Sequence, residues 1–548
     1  MHPFRHLFTA ATLGLATLAA AAPSPERLRA HVEALSADAF EGRAPGTAGE
    51  EKTVQYLIEQ FRAAGLEPGN PDGTFVQEVG LLGLTSRTQV TFRAGHQELS
   101  PAPVIEYTGL SRRLQPHVAR DGTEVVFVGY GVQAPEYDWD DYKGVDVKGK
   151  TVVMLINDPP VTTPDGKLDP NVFRGPAMTY YGRWTYKYEI ASQLGAAACI
   201  IIHETGPAGY PFAVLAAGEG REAFDLRSPD GNRGRVELES WITWDFAQKL
   251  FNAAGQDLSA LKQAAARRDF QPVSLGATLA YQADTAIREV ASKNVVARLP
   301  GRHPQRRDEY VIYSAHWDHL GMDERMSGDQ IFNGAFDNAS GVAVLLELAH
   351  EFAQLPESRR PERSLIFLAV TAEEKGLLGS RYYAENPLYP LHQTVANINM
   401  DGANIFATTR DIEVIGSGST TIEDIAADVA KASGRIVTPD TQAEKGFFYR
   451  SDHFEFAKVG VPAFYSKAGR EPLDRAPDYI DQRRAEYIAR DYHKVSDEIG
   501  PDWDFRATAQ DAQFLFEVGL AVANASRWPE WKSGSEFKAR RDAMLKRR

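Results

Sequence analysis

Acids and histidines stand just past short apolar runs in the second half of this chain. In YVIYSAHWDHLG, His316 and Asp318 follow the run 310–315. In NGAFDNASG, Asp337 sits among small residues ahead of a helix-like stretch. In SLIFLAVTAEEKG, Glu373 and Glu374 follow the run 364–370, and in VANINMDG, Asp401 follows 395–400. DYHKVSDE adds His493. Short apolar runs are the signature of buried parallel strands, and open α/β sheets bind ligands beyond the carboxyl ends of their strands. Groups at several such ends can therefore converge on one place. Carboxylates with imidazoles form the ligand set of zinc hydrolases, so the pattern implies a two-zinc hydrolytic site.

Such a site needs a carboxylate that bridges the metals, terminal ligands, and a base that is not a ligand. Asp337 has the small neighbours that let two ions approach, which suits the bridging role. Neighbouring side chains on a strand point to opposite faces. Glu373 and Glu374 therefore reach one site only from a turn beyond the strand end, a setting TAEEKG provides. Three ligand carboxylates and a hydroxide would neutralise two zinc ions and permit a buried site. Asp318, two residues past His316, is placed to hold the second imidazole nitrogen. His319 and His350 read as turn or cap residues. The aromatic cluster at Phe447, Phe448, Tyr449 and His453, with Tyr465 in the segment 464–469, offers a substrate pocket.

The elements that must position these groups form two regions. Residues 25–35 and 50–66 read as amphipathic helices, with Gly65 as a stop signal. Residues 285–525 alternate strand-like and helix-like segments, and Val342, Leu345, Leu346, Ala349 and Ala353 make one apolar helix stripe. Between them, residues 106–284 contain the β-rich runs TEVVFVGYGV, KTVVMLIND and AAACIIIHE. The simplest organisation is a body made of residues 23–105 and 285–525, interrupted by the middle region.

At 548 residues, with 43% apolar and 24% charged residues, the composition is that of a soluble multidomain protein. A net charge of −14 argues against nucleic-acid binding. Residues 1–22 resemble a secretory signal: a basic start at Arg5, an apolar run, then Ala20, Ala21 and Ala22 as a cleavage region. This implies a secreted or periplasmic protein without stable membrane insertion. Cys199 is the only cysteine; within an apolar run it reads as a buried, inert thiol. Residues 526–548 form a basic tail that reads as solvated.

AHWDHLG, GAFDNASGVA, TAEEKGLLGS, NINMDG and DYHKVSDE resemble the metal-site motifs of the M28 family of zinc peptidases. FVGYGVQAPEYDWDDYKGVDVKGKTVV and KYEIASQLGAAACIII resemble the protease-associated (PA) domain inserted in secreted members. The resemblance implies a three-layer α/β/α phosphorylase/hydrolase-like fold with a β-rich PA insertion and two Zn²⁺ ions. It implies His316, Asp337 and Asp401 on one ion, and Asp337, Glu374 and His493 on the other. It further implies Glu373 as general base, Asp318 as the residue orienting His316, and a cis peptide bond after Asp337. The expected activity is aminopeptidase action on peptide or protein chain ends. A carboxypeptidase would instead need cations to hold a terminal carboxylate, and Arg450, Lys467 and Arg470 lie near the pocket. A glutaminyl cyclase or a peptide-binding protein without catalysis fits less well.

Overall fold

A computed structural model describes residues 22–546. Residues 1–21, and with them the signal-segment expectation, lie outside the described residues. The first helix, α1 (Pro25–Leu35), begins with Pro25 behind Ser24, whose side chain accepts from the Arg27 N–H. The second, α2 (Ala48–Ala64), is capped by Thr47 and ends at Gly65, which adopts the left-handed conformation a glycine takes without strain.

One mixed sheet runs through the molecule. Its strands are β1 (Val76–Ala94), β2 (Tyr107–Leu110), β3 (His117–Phe127), β4 (Thr151–Leu155), β5 (Ala198–His203), β6 (Leu238–Thr243) and β7 (Val273–Leu299). They continue with β8 (Tyr310–His316), β9 (Ser364–Val370), β10 (Thr394–Asn399), β11 (Asp411–Val414), β12 (Ile436–Pro439) and β13 (Ala463–Ala468). The spatial order is β12-β11-β13-β10-β8-β9-β7-β3-β4-β5-β6-β2. Strands β9, β8, β10 and β13 are mutually parallel neighbours, and every residue of β8, β9 and β10 is buried. Helix α3 (Gly341–Gln354) buries the predicted stripe except Ala353 at its end, which is half-buried.

The two halves meet on β7. Its last residues, Val295–Leu299, pair with β9, whereas its first part pairs with β3. Strand β1 runs antiparallel beside it from Val76↔Val295 to Ala94↔Ala277. Residue 284 therefore falls within an unbroken strand. Two large cores flank this ribbon. One gathers the middle region from Val90 to Tyr281; the other joins α1 and α2 to β8, β9, β10 and α3. The middle core contains Cys199, buried and free.

The basic tail is not solvated along its described length. Trp531 and Phe537 are buried against Phe448, Tyr449 and Phe454. Trp531 Nε1 donates to the Gly460 carbonyl at 2.9 Å, and a helix, α4 (Lys538–Leu545), follows. Two tryptophans and a phenylalanine among the basic residues supply an apolar face that the charge pattern conceals. No helix among the described residues is long and apolar enough to cross a membrane.

The long helix Phe505–Asn524 packs on β8 at Gly519, where an added Cβ would overlap the Tyr313 hydroxyl. That hydroxyl donates to the Leu515 carbonyl at 2.9 Å and has no room to retreat. Gly519→Ala is expected to destabilise the protein by about 1–3 kcal/mol through overpacking, measured by denaturant unfolding.

Candidate metal centre

Three neighbouring parallel strands deliver the acids and one imidazole to a single edge of the sheet. His316 is the last residue of β8. Glu373 and Glu374 lie just past β9, after Ala372 turns the chain at φ 53°. Asp401 follows the end of β10. Asp337 comes from the irregular turn Ala335–Ser340 that leads into α3. The peptide bond between Asp337 and Asn338 is cis, as the resemblance implies. His493 reaches the site from a left-handed residue beyond the helix Tyr479–Arg490.

The distances separate two clusters that share Asp337. His316 Nε2 lies 3.3 Å from Asp337 Oδ1 and 3.6 Å from Asp401 Oδ1. His493 Nε2 lies 3.2 Å from Asp337 Oδ2 and 3.1 Å from Glu374 Oε2. Tetrahedral zinc with bonds of about 2.0–2.1 Å sets its ligand atoms roughly 3.3 Å apart. The five side chains therefore have a spacing that would suit zinc ligands. His316 Nε2 is also buried without a hydrogen-bond partner, as a ligand atom facing a cation would be. Glu373 Oε2 lies 4.0 Å from His316 Nε2, farther than the Asp337 and Asp401 oxygens.

The electrostatics call for positive charge. Burial by itself would lower the pKa of His493, yet its bonds to Asp337 and Glu374 outweigh burial and raise it to about 10. His316 is raised well above the ordinary histidine range despite burial, by Glu373, Asp337 and Asp401. Both shifts arise from the carboxylates that face these imidazoles. Glu373 is pushed well above the carboxylate range, first by burial and then by Glu374, Asp401 and Asp452, with His316 opposing.

A second layer holds these groups. The His316 Nδ1 lies 3.1 Å from the Asp318 carbonyl oxygen, while the Asp318 carboxylate is 3.8 Å away. That carboxylate instead accepts the Glu373 N–H at 2.9 Å and the Glu374 N–H at 3.4 Å. Asp318 thus orients His316 through its backbone and positions the Glu373–Glu374 turn through its side chain, a division the sequence reading did not make. His319 is no turn residue. It is buried, and its Nδ1 lies 2.7 Å from Glu374 Oε1. That separation is a hydrogen bond, too short for two atoms bound to one zinc, so His319 orients Glu374 while the other oxygen faces His493. Asn338 Oδ1 accepts from Gly341 and Gly402, tying the Asp337 turn to the Asp401 loop. Asp497 accepts the Phe336 and Asp337 N–H groups.

Arg43 also escaped sequence reasoning, because it lies in a Gly/Pro-rich turn. It is buried, and its guanidinium donates to the carbonyls of Trp317, Leu35, Asn333 and Gly334. One planar fork thereby joins the amino-terminal helices to the loops carrying Asp318 and Asp337.

Of the pocket residues, Tyr465 adjoins the centre: its hydroxyl donates to the Asp401 carbonyl at 3.0 Å. His453 lies behind it, fully buried, with ring centroids 4.9 Å from Tyr465 and 4.6 Å from Phe448. It braces the Tyr465 ring. Tyr449 lines a cleft beside Glu373 and Glu374, its hydroxyl 2.8 Å from Glu536 of the docked tail.

Residues 294–516 match the model of Peptidase family M28. This span contains every proposed ligand. Over 153 residues, 24% of this chain, it is 34% identical to the Aminopeptidase NAALADL1 of Mus musculus, covering 19% of that protein. Over 113 residues it is 37% identical to a probable zinc metalloprotease of Pyricularia oryzae, covering 20% of it. The alignments thus span about a fifth of the length of these curated relatives. Among solved structures, the aminopeptidase from Aneurinibacillus sp. strain AM-1 aligns over 92% of this chain and 95% of its own, at 19% identity and a TM-score of 0.46. A zinc aminopeptidase from Bacillus subtilis aligns over 92% and 96%, at 17% identity and a TM-score of 0.41.

If His319 orients Glu374, His319→Ala is expected to weaken retention of one of two zinc ions by about 10–100-fold. Competition with a chromogenic chelator measures this; equal retention of both ions would remove His319 from the site.

Proposed function

We propose that this chain is a di-zinc exopeptidase that releases residues from the amino ends of peptides. The observation that carries this reading is Asp337, whose two oxygens face separate imidazoles, each cluster completed by another carboxylate. His316, Asp337 and Asp401 would hold one ion, and Asp337, Glu374 and His493 the other. Zinc, when bound, supplies Lewis acidity that polarises a carbonyl and makes water a stronger acid.

The chain's own groups do the rest. Glu373 lies farther from His316 than the Asp337 and Asp401 oxygens do, and the Asp318 carboxylate holds it through its backbone N–H. Its carboxylate takes the proton of the attacking water and returns it to the leaving amine. Burial beside other acids raises its proton affinity, which suits a group that must both accept and give back a proton. Tyr465 borders the site and shapes the space for the first side chain. We also read residues 106–284 as a PA insertion that walls the cleft and limits access to chain ends. The amino-terminal segment supports a secreted or periplasmic setting.

Glu373→Gln is expected to lower turnover by about 10²–10⁴-fold while zinc content stays at the wild-type level. Steady-state kinetics with elemental analysis tests both parts, and full hydrolysis by the variant would sink the mechanism. One peptide assayed free, amino-blocked and carboxy-blocked decides polarity. Loss of cleavage on amino-blocking supports the proposal; loss only on carboxy-blocking would make the enzyme a carboxypeptidase.

A further inference from the structure

A cavity of about 700 Å³ lies between the two halves of the molecule. Glu373 and Glu374 line it on one side, and Arg183 and Trp184 of the middle region on the other, with Arg450 also at its wall. Eight cations line this space, and four of them are neutralised by ion pairs. Arg112 meets Glu239 at 2.9 Å, Arg235 meets Asp225 at 2.8 Å, and Arg381 meets Asp225 at 3.1 Å. Lys458 meets Glu189 at 2.7 Å.

Arg183, Arg221, Lys375 and Arg450 have no carboxylate within ion-pair distance among the described residues; of these four, Arg183 and Arg450 are the two whose charges act on one another. Arg183 Nε is buried with no hydrogen-bond partner. Arg450 is exposed to the cavity and spends one nitrogen on the Lys445 carbonyl at 2.8 Å. Burial and then the charge of Arg450 lower the Arg183 pKa to about 10. Arg450 also lies over the Phe447 ring at 5.3 Å, and Lys467 lies over the same ring at 4.8 Å. Arg470, by contrast, is drawn off by Glu413 at 3.5 Å and Asp481 at 3.2 Å, so it is not available.

The pair is close to the reaction centre. Tyr492 is the titratable group that acts most strongly on Arg450, and its ring stacks on His493 at 3.9 Å. A half-buried pair of like charges without a counterion is a poor structural device and a good anion receptor, because a planar guanidinium binds a carboxylate through two parallel bonds.

We propose that Arg183 and Arg450 bind a carboxylate of the substrate, so that the enzyme prefers peptides carrying a carboxylate close to the scissile bond. This rests on the peptidase reading above. It gives the middle region a specific role, since Arg183 belongs to it. The carboxylate has two sources, the terminal carboxylate of a very short peptide or an acidic side chain in a longer one.

The zinc-loaded enzyme would be assayed on Leu-Ala, Leu-Ala-amide and Leu-Glu-amide, with leucine p-nitroanilide as a substrate that has no carboxylate. Expected is a kcat/KM roughly tenfold or more above that of Leu-Ala-amide for one or both carboxylate substrates. The better of the two names the source. Arg183→Met and Arg450→Met should each shrink that ratio toward one, mainly through KM. Equal rates on all three peptides, or an unchanged ratio in both variants, would overturn the proposal while anilide hydrolysis left the peptidase reading intact. If no substrate is cleaved, the peptidase reading fails, and calorimetric titration with glutarate still tests the anion site. Binding weakened about tenfold or more in the Arg183→Met/Arg450→Met protein supports it; equal binding overturns it.

Discussion

The constraint on which the rest of this structure depends is the repulsion among acids gathered in one buried place. Asp318, Asp337, Glu373, Glu374 and Asp401 meet at the end of three parallel strands, where little water screens them. Such a cluster stands only if positive charge or directed N–H groups compensate it. The protein uses both. Two imidazoles face Asp337, and backbone N–H groups point at the Asp318 and Asp497 carboxylates. The parallel sheet matters because it brings several strand ends to the same edge without requiring a long loop.

Around that centre the architecture is a set of ties between distant segments. Arg43 links the amino-terminal helices to the metal loops through four carbonyls. Asn338 joins the loops of Asp337 and Asp401. The ribbon of β1 and β7 carries the middle region and continues into the central sheet through β9. Because β7 is shared, the middle region joins the central sheet through continuous strand pairing. The carboxy-terminal segment closes the arrangement, with Glu536 reaching Tyr449 and the Gly534 carbonyl accepting from Tyr137 of the middle region.

The cleft between the halves is therefore a product of both. Both halves supply acids and cations to its lining, Glu189 and Arg183 from the middle region and Glu373 and Arg450 from the other half.

Four of the five proposed ligands and Glu373 were legible in the sequence because they stand beside an apolar run or among small residues, and residue type with spacing is a local property; His493 stood out only through DYHKVSDE. The end of the second helix was legible through Gly65 for the same reason. His319 was not, since one residue past Asp318 it looks like a turn histidine, and only the fold brings it against Glu374 from 55 positions away. Arg43 and Arg183 were hidden for a similar reason: a guanidinium is defined by what surrounds it, and their surroundings come from segments remote in the chain. The tail read as solvated because its charges are adjacent in sequence, whereas the cluster that buries Trp531 and Phe537 is assembled from elsewhere. The sequence by itself determined which chemistry was present and near which strand ends. Tertiary structure decided which side chains meet, because His316, Asp337, Glu373, Glu374, Asp401 and His493 come together only through long-range packing.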